Sequence, residues 1–126
     1  MDKLEYLQKR QEELFIEIKK QRPEYSKMST NQFLVLFCDA IIDEVSEIKD
    51  HLNWKPWKNN KIIDMEEVKE ESIDLLHFLL DIFNKLEMTP YEIVERYDAK
   101  HQENIDRQTD GGKDGRKEYV NPSRKP

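Results

Sequence analysis

The apolar positions of the chain recur at helical spacing, and no stretch alternates as a strand would. Leu4, Leu7, Leu14 and Ile18 form a sparse stripe that predicts a first helix over about residues 2–21, ending before Pro23. Ser29 followed by Gln32 has the form of a capping box and opens a second helix that reads on to about His51. Residues 52–63, "LNWKPWKNNKII", read as a loop holding both tryptophans, and Asp64 can cap a third helix over about 65–86. "TPYE" at 89–92 places Thr before Pro and Glu, which starts a fourth helix running to about Gln108. The pattern predicts an all-α four-helix bundle over residues 1–108, followed by a polar, glycine-bearing tail over 109–126. The second and third helices carry more apolar residues than a single unit of this size can bury, so homodimerisation is expected to complete the core.

Two of these stripes are broken by acids. At helical spacing the second helix reads Phe33, Phe37, Ala40, Ile41, Glu44, Glu47, Ile48, while Asp39, Asp43 and Asp50 fall on its polar side. The third reads Glu71, Asp74, Leu75, Phe78, Ile82, while Glu66 and Glu70 fall on a polar side. Residues three apart are neighbours on a helix surface, so each pair presents two carboxylates to one place. An unpaired carboxylate taken out of water is costly enough to protonate instead. Two readings stand at this point. With 27 acids in the chain, the pairs are ordinary surface charges, or a divalent cation sits among them. An all-oxygen donor set favours Mg²⁺, with Mn²⁺ as substitute, over Zn²⁺.

Composition narrows the class. The 126 residues are 37% apolar and 38% charged, and all three glycines lie between 111 and 115, the profile of one helical domain with a well-solvated exterior. A net charge of −6 disfavours nucleic acid as a partner. No apolar run reaches the length of a membrane span. The single cysteine, Cys38, lies on an apolar face and reads as a small buried hydrophobe; without a disulfide framework, a soluble protein of a reducing compartment is expected.

The fourth helix carries Tyr97, Lys100, Asn104 and Arg107 on one face, a point charge, an amide and a planar donor fork suited to phosphate oxygens. Pairing with neighbouring glutamates is the plainer reading of the same residues. "WKPWK" at 54–58 adds aromatic surface and two cations, either around a ligand or as a loop anchored by its indoles. His77 reads first as a hydrogen-bonded packing histidine.

Together these pieces resemble the dimeric all-α dUTPase family, within the MazG-like nucleotide pyrophosphohydrolase superfamily, and the related phage dCTP/dUTP pyrophosphatases. The likeness is carried by "EVSE" at 44–47, "WKPWK" at 54–58, "EESIDLLHF" at 70–78, "KHQENIDRQ" at 100–108 and "GGKDGRKEY" at 111–119. The resemblance implies an Mg²⁺-dependent enzyme that converts dUTP and water to dUMP and pyrophosphate, with dCTP or another dNTP as the alternative substrate. A non-catalytic helical binding or regulatory protein is the alternative of another class. It implies that Glu44, Glu47, Glu71 and Asp74 bind metal, with Glu47 handling the attacking water. Lys58, Lys100, Asn104 and Arg107 would hold phosphates, and Gln11, Trp57 and Phe78 would border the base. Phe15 stands near where the family places a second polar base-reading group, and Gln8 with Gln11 is another alignment. The tail, with Lys113 and Arg116, would close over the phosphates. Compact phage or bacterial members are the nearest in size, which implies the cytoplasm, the host's for a phage member.

Overall fold

The computed structural model describes residues 1–109. Four α-helices follow one another: α1 (Lys3–Gln21), α2 (Thr30–His51), α3 (Met65–Lys85) and α4 (Pro90–Thr109), with a 3₁₀ turn at Pro23–Lys27 between the first two. No strand occurs among the described residues. The turn was not foreseen, because Pro23 stops α1 but its fixed φ also suits the start of a new helical turn. The expected tail lies outside the described residues except for Thr109.

Two of the predicted caps, Ser29 with Gln32 and Asp64, are present, and Asp2 adds one that the sequence pattern did not single out. Asp2 accepts from the Glu5 backbone N–H, Ser29 and Gln32 form a reciprocal capping box, and Asp64 accepts from Glu66 and Glu67. Each satisfies backbone donors that the first helical turn leaves without partners.

The chain divides into two compact units, one ending at Thr89 and one starting at Pro90. In the first, α3 runs antiparallel to both α1 and α2: Gln11 of α1 meets Asp81, while Glu44 of α2 is close to Glu71. Phe15, Phe33 and Phe37 form the core, with Tyr25, Met28, Phe78 and Ile82 packed against it. Their rings meet mostly edge-to-face, at 5.3 Å for Phe15–Phe33 and 5.7 Å for Phe15–Phe37, the arrangement ring quadrupoles prefer. Polar bonds fix the register of α1 on α3. Gln8 Nε2 donates to Asn84 Oδ1 (3.2 Å) and to the Met88 carbonyl (2.8 Å), and Asn84 Nδ2 donates to the Gln8 carbonyl (3.0 Å).

Cys38 corrects an expectation: it is exposed. α2 is apolar on two sides, and Cys38 shares its side with Val35, Ile42 and Val45, all turned away from the phenylalanine core. Periodicity alone could not tell which apolar side faced inward.

Candidate active site

The interrupting acids of α2 and α3 meet. Glu44, Glu47 and Glu71 each offer a carboxylate oxygen, and these oxygens lie within 4.8 Å of one another. Oε2 of Glu44 and Oε2 of Glu71 are buried without a hydrogen-bond partner. Such orphaned acceptors are uncommon in a folded interior and call for a compensating ligand.

The electrostatics follow from this crowding. The Glu44 carboxyl is pushed up to about 7, first by burial, then by the neighbouring Glu71 carboxyl with which it can share a proton, and by the charges of Glu47 and Asp74. Glu47 is raised too, chiefly through Glu71, although its side chain stands at the surface. Asp74 is exposed and outside the three-carboxylate group, yet its charge acts on Glu44.

Sequence reasoning missed two neighbours. His51, Glu67 and Glu71 form a second group with potential ligand atoms within 4.8 Å, and His51 Nε2 lies 3.9 Å from Glu71 Oε1. The signal was available: His51 follows Glu47 by four and Glu67 precedes Glu71 by four, so both continue the faces already singled out. Glu71 belongs to both groups.

Both orphaned oxygens belong to carboxylates, and Glu47 adds a third. This is a hard, all-oxygen donor set, and it fits a Mg²⁺- or Mn²⁺-like ion.

Within the first unit the remaining sequence-derived residues are spread over α1, α3 and the loop at 52–63. In the loop, Asn53 holds both the N–H and the C=O of Lys61 at 2.9 and 3.0 Å, and Lys61 Nζ donates to the Asp50 carbonyl. Trp54 and Trp57 meet edge-to-face at 6.0 Å, with Lys49 Nζ 4.0 Å above Trp54. Neither indole is buried, and Trp57 is 70% exposed, so buried indoles do not anchor this loop. Lys58 lines a hollow of about 350 Å³ beside Trp54. Gln11 is buried and donates from Nε2 to Asp81 Oδ1 at 2.9 Å. Phe78 packs on the core. His77 is exposed, which corrects its reading as a packing residue. Within α4, Arg107 bonds Asn104 at 3.3 Å and Glu103 at 2.6 Å, while Lys100 is exposed.

A family model described as dUTPase matches residues 3–89, which contain α1–α3 and every acid of the cluster. The chain belongs to this dUTPase family. Curated relatives similar to it include the dCTP pyrophosphatases of Enterobacteria phage LZ5 and Enterobacteria phage T4, each 34% identical. The matched region is 58% of this chain and 56% and 57% of those proteins, so the chain spans little more than half their length. No solved structure gives a significant match.

Proposed function

We propose that the protein is a divalent-metal-dependent pyrophosphohydrolase of pyrimidine deoxynucleoside triphosphates, dUTP or dCTP, acting as a homodimer. The observation that carries this reading is the convergence of Glu44, Glu47 and Glu71 with two buried, unpartnered oxygens, in a chain of the dUTPase family.

In this reading Glu44, Glu47 and Glu71, with Asp74 beside them, hold Mg²⁺. The ion supplies neutralisation of phosphate charge and acidification of water. The oxygen of water bonds to the α-phosphorus, the bond from that phosphorus to the bridging oxygen breaks, and pyrophosphate departs. Glu47 receives the proton from water: it is the most exposed of the three carboxylates, and Glu71 raises its proton affinity. Lys58 is a candidate phosphate contact, and within α4 Lys100, Asn104 and Arg107 are donors of the kind phosphate oxygens take. Trp57 is an exposed ring available to a base. A second copy of the chain would cover the apolar stripe of Val35, Ile42 and Val45, exposed by 52, 68 and 48%.

The test is hydrolysis of dUTP, dCTP, dTTP and UTP with and without Mg²⁺, scored by released pyrophosphate, in wild type and Glu47→Gln. Mg²⁺-dependent pyrophosphate release that the variant loses while keeping its helical signal is expected. Release of γ-phosphate alone, or no hydrolysis of any nucleotide, would sink the proposal.

A further inference from the structure

The segment between α2 and α3 is tied shut at its base. Asn53 Oδ1 accepts from the Lys61 N–H at 2.9 Å, and Asn53 Nδ2 donates to the Lys61 carbonyl at 3.0 Å. One side chain thus makes both bonds that a facing backbone residue makes in an antiparallel pair. Lys61 is held a second time, because its Nζ donates to the Asp50 carbonyl in the last turn of α2. The result is a short loop with adjoining ends, and residues 54–60 inside it hold both tryptophans of the chain. Burial does not hold this loop, since Trp57 is 70% exposed; the Asn53 clasp does.

The cations of the segment divide by task. Lys49 and Lys55 lie over the Trp54 ring at 4.0 and 5.3 Å, which fixes that indole. Lys61 is bound to the end of α2. Lys58 is different: its backbone N–H bonds the Lys55 carbonyl at 3.2 Å, but among the described residues its ammonium has no hydrogen bond, ion pair or ring contact. It borders the hollow of about 350 Å³ with Trp54, Lys55 and Asn59. The loop leaves α2 after His51, one turn past Glu47, and enters α3 at Met65, less than two turns before Glu71. It therefore lies at the same end of the helix pair as the clustered carboxylates.

We infer that Asn53 is a positioning residue: by clasping Lys61 it keeps the loop closed and presents the Lys58 ammonium to the substrate's phosphates. The inference rests on the pyrophosphohydrolase reading above and adds to it a residue that touches no substrate. Ordering a loop on binding costs affinity, and a loop closed in advance avoids that cost. The chemistry requires an amide. An aspartate still accepts from the Lys61 N–H but repels the Lys61 carbonyl, and an alanine does neither.

The experiment is a double-mutant cycle on the binding of tripolyphosphate with Mg²⁺, measured by calorimetry in wild type, Asn53→Ala, Lys58→Met and the double variant. Lys58→Met is expected to weaken binding about tenfold, the loss of one charge-assisted contact. Asn53→Ala should weaken it about fivefold when Lys58 is present and about twofold or less when it is not. Asn53→Asp should fall between wild type and Asn53→Ala, and it serves in place of the alanine if that variant does not fold. Tryptophan emission reads this loop alone and should change in Asn53→Ala while the urea midpoint of the helical signal holds. With dUTP or dCTP, KM should rise with kcat nearly unchanged, the sign of a contact made equally before and during the reaction. Unchanged tripolyphosphate affinity or tryptophan emission in Asn53→Ala overturns the inference, as does a wild type that does not bind tripolyphosphate. An equal loss with and without Lys58 also overturns it, because Asn53 would then support the fold in general. If no nucleotide is hydrolysed, the parent reading fails, and the binding cycle still judges Asn53.

Discussion

Glu44 of α2 and Glu71 of α3 face each other across the antiparallel helix pair, each with one buried oxygen that no hydrogen bond satisfies. In the metal-free protein burial, and then the Glu71 carboxyl with which a proton can be shared, raise Glu44 from the ordinary 4.5 to about 7. Below pH 7 the folded state therefore holds a proton that the unfolded chain releases once pH exceeds 4.5. By linkage, stability falls as pH rises through this window, and the cost is fully present above it. Asp81, raised from 3.8 to about 6, acts in the same direction at slightly lower pH. The urea midpoint in EDTA is expected to be higher at pH 5.5 than at pH 8. A midpoint that climbs across this range would mean that the acids are ionised and satisfied without a metal.

A divalent cation replaces the shared proton, so its effect should have the opposite pH dependence. Mg²⁺ is expected to raise the melting temperature more at pH 8 than at pH 5.5, because the ligands must be deprotonated to bind it. Glu71→Gln removes the carboxylate common to both groups and offers an amide donor to Glu44. The variant should be more stable than wild type without metal, by about 1 kcal/mol, and should lose the Mg²⁺-dependent gain. Thermal melts with and without Mg²⁺ read both effects, and an undiminished Mg²⁺ gain in the variant would remove Glu71 from the metal site.

The sequence made the helices and this cluster legible for one reason. Caps such as Ser29 and Asp64 act within a few residues, and Glu44, Glu47 and Glu71 interrupt stripes whose inward side their neighbours define. What failed was longer in range. Cys38 lies on one of two apolar sides of α2, and only the position of α3 decides which is the core. The buried bond between Gln11 and Asp81 is a pairing of residues 70 positions apart that no local pattern announces. The exposed indoles have the same cause, because Asn53 and Lys61 close the loop by polar bonds rather than by burying Trp54 or Trp57.

The phenylalanine core should be the most sensitive part of the first unit. Phe33 is 4% exposed and meets Phe15, Tyr25 and Phe37, with Lys85 Nζ 4.2 Å above its ring. Phe33→Ala removes these contacts together and leaves a cavity, at a cost of about 3–5 kcal/mol. Denaturant unfolding followed by circular dichroism measures this, and a loss below about 1 kcal/mol would mean that the site collapses freely around the smaller side chain.

The end of α3 offers a gain instead. Glu87 has φ of 58°, a left-handed conformation, and around it the Glu87 N–H bonds the Asn84 carbonyl while the Met88 N–H reaches back to Phe83. This is a Schellman cap with glutamate where glycine is favoured, because a Cβ crowds the following carbonyl in this conformation. Gln8 holds the same turn through the Met88 carbonyl, so the backbone cannot relax without loosening α1 from α3. Glu87→Gly should stabilise the protein by about 0.5–1 kcal/mol, the relief of strain exceeding the added flexibility of the unfolded chain. Glu87→Ala keeps the Cβ and should give no such gain. Equal urea midpoints for the two variants would trace the effect to the lost carboxylate rather than to the backbone.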